Sequence, residues 1–84
     1  MQKLMKNSIL NLLTEMRAGQ EKTLLQLGRR IIPTLSPEDI LQPNDYEVLE
    51  NNPHFRYEEG ILHGIQSVEA ALRCEFNDQL PFLD

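Results

Sequence analysis

Glu59 and His63 are the residues whose types and spacing come closest to a chemical site in this sequence. They stand four positions apart, so they share one face of any helix that spans them, and a carboxylate and an imidazole both bind divalent metals. The chain lacks the Glu-x-x-His spacing of dimetal carboxylate bundles, and no second such motif is present. We interpret the pair as a helix-surface ion pair or hydrogen bond, and we expect neither a metal nor another cofactor.

Nucleophilic side chains are present, but none belongs to a recognised catalytic pattern. A nucleophile needs a neighbouring base and a group that orients the base. Cys74 and the three serines form neither a nucleophile elbow nor a Cys/His signature with the two histidines. No glycine-rich phosphate loop or dinucleotide fingerprint is present in the sequence. We therefore expect a protein that is not an enzyme.

The length of the chain limits how it is stabilised. We take residues 1–84 as one helical domain, and a domain of this size buries only about 60–65% of its unfolded surface, so its core is marginal. Cys74 is the only cysteine, which excludes an internal disulfide and fits a reducing compartment. Self-association is another common way in which a domain of this size gains stability.

The sequence shows no secretory signal and no membrane-spanning apolar run, so we expect a cytoplasmic protein.

Charge is distributed unevenly along the sequence, although the net charge is −5. Up to Ile32 there are six basic residues and two acidic ones, whereas from Pro33 onward two basic residues stand among eleven acidic ones. Our main interpretation is that the basic first part packs beside an acidic segment of the same chain or of a second copy. The alternative is peripheral binding of anionic lipid or nucleic acid through the basic first helix. The net acidity, and the lack of aromatic residues among the basic ones, argue against nucleic-acid and membrane partners.

Hydrophobic periodicity predicts an all-α fold with two long antiparallel helices. The first, over about residues 3–30, is predicted because apolar residues recur on one side at helical spacing. Those residues are Met5, Ile9, Leu12, Leu13, Met16, Leu24, Leu27 and Ile31. A kink near Gly19 stays open as an alternative. The second long helix is predicted over about residues 53–76, with Asn52 as its N-cap and Pro53 at its first position.

Prolines punctuate the segment between the two long helices. We predict one or two short helices there. The first starts at Ser36 and ends near Leu41. The second starts at Asn44, which has capping-box spacing to Glu47, and ends near Glu50.

The ends of the long helices are predicted from local signals. Gly28, followed by two arginines, is predicted to mark the end of the first helix. Residues 77–84 are predicted to form a non-helical apolar tail, because Pro81 disfavours a helix there. We expect the tail to lie back on the helices or on a partner, since free chain ends are rarely so apolar.

The last helix carries apolar and small residues around more than half of its circumference. Its large apolar residues are Ile61, Leu62, Ile65, Val68, Leu72 and Phe76. Beside them lie Gly60, Gly64 and Ala71, and the combined arc is about 200°, whereas a one-sided surface helix needs about 100°. Each interior glycine costs about 0.8–1 kcal/mol relative to alanine, which suggests that another backbone approaches closely.

Two interpretations of this small-residue groove stay open. It packs either against another part of the same chain or against a partner. The candidate interface residues are Tyr57, Gly60, Ile61, Gly64, Val68 and Ala71. We hypothesise a small non-enzymatic protein–protein interaction module that self-associates through its last helix. A homo-oligomer or an unidentified protein partner would then complete a small helical bundle.

Overall fold

A computed structural model describes the backbone of residues 2–83 and the side chains of residues 5–76. The described backbone is helical and contains no strand. Its α-helices are α1 (Gln2–Ile31), α2 (Glu47–Glu50) and α3 (Pro53–Leu83), and two short 3₁₀ turns cover Asp39–Leu41 and Pro43–Asp45. The predicted all-α class, with two long helices joined by short helical pieces, is confirmed.

The long helices α1 and α3 pack against each other as an antiparallel hairpin. At one end Gly28 of α1 adjoins Phe55 near the start of α3. At the other end the ammonium nitrogen of Lys6 lies 5.5 Å from the centre of the Phe76 ring. We term the first of these the connector end, because residues 32–52 join the helices there, and the second the free end.

Side-chain hydrogen bonds form at Ser36 and at Asn52, as the sequence indicated, but the first 3₁₀ turn begins at Asp39 and not at Ser36. The Asp39 N–H donates to the Ser36 hydroxyl oxygen at 3.3 Å, and the Ser36 N–H donates to the Asp39 carboxylate at 2.9 Å. The Phe55 N–H donates to the Asn52 side-chain oxygen at 2.9 Å. These bonds satisfy N–H groups that have no partner in the first turn of a helix.

The capping box expected between Asn44 and Glu47 does not form. Asn44 lies inside the second 3₁₀ turn, and α2 begins at Glu47 after the extended residue Tyr46. Pro43 at the start of that turn favours a separate tight turn over one continuous helix, because the proline ring fixes its own φ angle.

The buried core lies at the connector end of the hairpin. Its contacting members are Leu24, Leu35, Ile40, Leu49, Phe55 and Leu62. Half of this cluster comes from the connecting segment, and the rest comes from α1 and α3. Toward the free end, Leu13 is the one described apolar side chain that is buried. The hairpin therefore has a closed core over one half of its length.

Gly28 lies in the last turn of α1, where the sequence predicted the helix to end, and it is also a buried core residue. A Cβ atom at this position would lie 2.5 Å from a Leu35 methyl carbon and 3.4 Å from the Phe55 ring. The helix continues for three more residues, and Arg29 Nε donates a hydrogen bond of 2.8 Å to the Leu35 carbonyl. The absent side chain lets the connecting segment cross α1 closely.

The end of α3 also differs from the sequence-based prediction of a non-helical segment over 77–84. The backbone is helical as far as Leu83, and Asp84 lies outside the described residues. Pro81 lies close to the helix end, where its missing N–H removes a single helical hydrogen bond. The side chains of 77–84 lie outside the described residues, so the contacts expected of this tail stay a prediction.

We predict different effects of alanine at the two glycines of α1, which is unbroken at both. No described atom lies within 4 Å of a Cβ added at Gly19, so Gly19→Ala should raise the free energy of unfolding by about 1 kcal/mol. Gly28→Ala gains the same helix propensity, but it must displace the buried Leu35 at a cost of about 1–3 kcal/mol. Urea unfolding should show G28A to be less stable than G19A by about that cost. Equal stabilities would contradict the close packing at Gly28.

Candidate interaction surface

The residues predicted as an interface all lie exposed on one side of α3. We term them the α3 face, which consists of Tyr57, Gly60, Ile61, Gly64, Val68 and Ala71. Its three large members are 68%, 37% and 50% exposed in chain order. A Cβ added to either glycine would meet no described atom within 4 Å. No described part of the same chain therefore packs into the small-residue groove.

The face of α3 that contacts α1 is rotated away from the predicted apolar stripe. Leu62 is buried, whereas Ile61 and Val68 point to solvent. The other members of the predicted stripe are half-buried: Ile65, Leu72 and Phe76. Two acidic residues, Glu59 and Glu69, are buried on α3 instead. The six large apolar residues of α3 therefore do not all face α1.

Glu69 explains part of this rotation, because it pairs with residues on both long helices. Its carboxylate accepts hydrogen bonds from Arg17 at 2.8 Å, Arg73 at 3.2 Å and the Thr14 hydroxyl at 3.3 Å. Burial raises the pKa of Glu69, but the bonds from the two guanidinium groups outweigh it, and the pKa lies below the ordinary 4.5. A carboxylate so placed has to face α1, and this fixes the rotation of α3.

A second polar contact borders the inner face nearer the connector end. The Gln20 amide donates to the Glu58 carboxylate at 2.6 Å and to the Glu58 carbonyl at 3.0 Å. Gln20 interrupts the apolar side of α1 in the sequence, and the structure gives it a specific partner. Polar residues on the inner face leave fewer inward positions for apolar side chains.

A second exposed apolar surface lies on α1 toward the free end. We term it the α1 stripe, and its members are Met5, Ile9, Leu12 and Met16. They are 62%, 39%, 57% and 47% exposed in that order. Spacings of four, three and four residues keep them on one face of the helix. The sequence-based prediction assigned them to the same apolar side as Leu13 and Leu24, and the missed signal is their angular separation from those two buried residues.

The α1 stripe and the large residues of the α3 face lie on the same side of the hairpin. Angles around each helix are counted in the direction of increasing residue number, with 3.6 residues per turn. On α1 the centre of the stripe precedes the inward-facing Leu24 by about 90°. On α3 Val68 precedes the inward-facing Glu69 by about 100°. Viewed from one end, two antiparallel right-handed helices turn in opposite senses. Displacements of the same sign from the inner face therefore bring both surfaces to one side, which we term the apolar side.

The apolar side is free of charged residues over most of the described hairpin. Helical geometry places uncharged residues there from Met5 to Leu27 on α1 and from Tyr57 to Leu72 on α3. The Arg17–Glu69–Arg73 cluster faces inward and toward the opposite side. A quarter of all residues are charged, so an even distribution would place several of them on the apolar side. The hairpin therefore has one apolar side and one charged side.

Glu59 and His63 do not form a joint site. The Glu59 carboxylate is buried and lies 3.2 Å from an Arg56 guanidinium nitrogen, whereas His63 is exposed. Both line an open cleft of about 440 Å³ between α3 and the connecting segment. Among the side chains of residues 5–76, no three His, Cys, Asp or Glu groups are placed to hold a metal ion. The absence of a cofactor and of enzymatic activity stays an expectation.

The comparisons with known proteins add no family to these observations. No protein-family model matches this chain, and neither a curated protein nor a solved structure is significantly similar to it. None of the described helices combines the length and hydropathy that crossing a bilayer requires.

We predict that the folded state loses stability in acid, because protonation of Glu69 removes its contribution. Because its folded pKa is lowered, its contribution is present above the ordinary value of 4.5 and is lost as the pH falls through the folded value. Glu69→Gln should lower stability at neutral pH and weaken the decline in stability below about pH 4.5. Urea unfolding across this range tests it, with the exposed Glu15→Gln as control. A pH profile for E69Q identical to that of the wild type would contradict the assignment.

Proposed function

We propose that this protein is a small non-enzymatic protein–protein interaction module that self-associates through the α3 face. The observation that carries the proposal is the exposure of Ile61 and Val68 on a side of the hairpin that is free of charged residues over most of its length. An apolar surface that continues along both helices marks an interaction site more often than scattered apolar residues do. A second copy would remove this surface from water and close the open half of the core.

The hairpin is long enough to present a dimer interface along one side. The molecule measures 48 by 19 by 17 Å, so one whole side of it covers about 900 Å² in projection, and the apolar side runs along part of that length. A specific interface of standard size buries about 800 Å² on each partner. Face-to-face contact over the hairpin therefore provides enough area, whereas contact through the glycine groove alone does not.

Charge placement is compatible with self-association. Two copies of net charge −5 repel one another at long range, and this repulsion keeps such proteins soluble. The apolar side brings no charged residue into the centre of the contact, so no ion has to lose its water there. We also place the protein in the cytoplasm, because a reducing compartment suits the exposed thiol of Cys74.

The alternative partners, anionic lipid and nucleic acid, receive less support from the contacts of α1. Arg17 pairs with Glu21 and Glu69. Arg29 donates to a backbone carbonyl, and the Lys6 ammonium lies over an aromatic ring. A guanidinium or ammonium already engaged within the chain has less to offer a phosphate, so the favoured partner is a second copy of the protein.

We predict that a single charge on the apolar side separates the copies. Light scattering after size exclusion, at tens of micromolar, should give the wild type about twice the 9.8 kDa mass of one chain. Val68→Lys places an ammonium at the centre of the contact and should give the mass of one chain, because an unpaired buried charge is strongly unfavourable. Ala70→Lys is the matched control, since Ala70 is also exposed on α3 but faces away from the apolar side.

Circular dichroism of both variants verifies that the helices persist. A wild type with the mass of one chain at every concentration would contradict the proposal. So would a V68K variant that keeps the mass of the wild type, because the interface would then lie elsewhere.

A further inference from the structure

We infer that two copies form a four-helix bundle in which the α1 stripe of each copy packs against the α3 face of the other. In this arrangement the two free ends lie together at one end of the bundle. The inference rests on the proposed self-association, and it adds which surface of each helix meets which surface of the partner.

Within one chain, no described residue covers the α1 stripe. Within one hairpin the stripe and the α3 face lie side by side on the apolar side and point in the same direction, so neither covers the other. The buried core stops at the connector end. Self-association through α3 alone would leave Met5 and Leu12 in water at 62% and 57% exposure.

The α1 stripe and the α3 face also lie at matching heights along the hairpin. The pairs Thr14–Glu69 and Lys6–Phe76 fix which residues of α1 and α3 are level with one another. On this register Leu12 is level with the turn of α3 that follows Val68. A two-fold axis parallel to the helices keeps each height unchanged and places α1 opposite α3 of the partner copy. Leu12 then faces Val68 of the partner copy, apolar against apolar.

The charges of the two long helices favour the same arrangement. The part of the chain that contains α1 has six basic and two acidic residues, and the rest has two basic and eleven acidic ones. A parallel two-fold axis brings the basic helix of one copy beside the acidic helix of the other, and complementary charges at the rim favour that pairing. A two-fold axis perpendicular to the helices would instead set α1 against α1 and α3 against α3. It would also oppose the free end of each copy to the connector end of the other.

Cysteine cross-linking between two different variants separates these arrangements. In a Cys74→Ser background, one preparation carries Leu12→Cys and the other Val68→Cys, so a disulfide between the two variants joins different chains. The variants are mixed in equal amounts, allowed to exchange, and oxidised with copper phenanthroline. Intact-mass spectrometry then resolves the three disulfide products.

We expect the mixed L12C–V68C disulfide to exceed either homodisulfide by about fivefold or more, because the dimer holds those two positions together. Replacing Val68→Cys by Ala70→Cys should remove the excess. Leu12→Lys should also convert the dimer to single chains, as Val68→Lys does.

The other outcomes overturn the inference in distinguishable ways. A dominant L12C homodisulfide indicates the perpendicular axis and leaves self-association intact. Two further results would also contradict the arrangement and leave self-association intact. One is a Leu12→Lys variant that stays dimeric while Val68→Lys does not. The other is a dimeric protein that gives no excess of the mixed disulfide. A wild type of single-chain mass would contradict the proposed function itself.

Discussion

The contact of Leu35 and Phe55 with the bare backbone of Gly28 is the interaction on which the rest of this fold depends. Leu35 and Phe55 are almost fully buried, and a single methyl group at Gly28 would collide with Leu35. This close approach lets the connecting segment cross α1 and bring Ile40 and Leu49 into the core. A chain of 84 residues has a small core, and these buried side chains form its contacting cluster.

Because the core is confined to the connector end, the other half of the hairpin is left open. Toward the free end, a buried carboxylate and its partners occupy part of the contact between the helices, and Glu69 accepts hydrogen bonds from Arg17 and Arg73. Leaving such a carboxylate unpaired would be strongly unfavourable. The hydrogen bonds from Arg17 and Arg73 to Glu69 fix the rotation of α3, and this rotation turns Val68 outward. The apolar side of the hairpin is exposed because polar side chains on the inner face take the positions that face the other helix.

Much of the architecture could be predicted from the sequence, because its signals are local. The Ser36 and Asn52 caps act within three residues of their own positions, and both form. The two long helices follow from apolar periodicity. The rotation of those helices did not follow, because periodicity treats Glu69 as an outward residue and does not show that Arg17 lies opposite it.

The glycines illustrate the same limit. Gly28, Gly60 and Gly64 all stand in predicted helices, but the sequence does not show which of them meets another segment. That depends on where the connecting segment crosses α1, which is a tertiary property, and the close approach occurs at Gly28. The α3 face was identified from its wide arc and is exposed as a whole. The α1 stripe was missed as a surface, because its residues were placed on the same apolar side as the buried Leu13 and Leu24.

We propose that the free end of the hairpin is completed by a second copy of the chain. Amide hydrogen exchange at low and high protein concentration tests it most directly. Peptides covering residues 5–16 and 65–76 should become more protected as the concentration rises, because association closes that half of the core. Peptides from the connector end should change much less. Equal protection of the free end at every concentration would contradict the account.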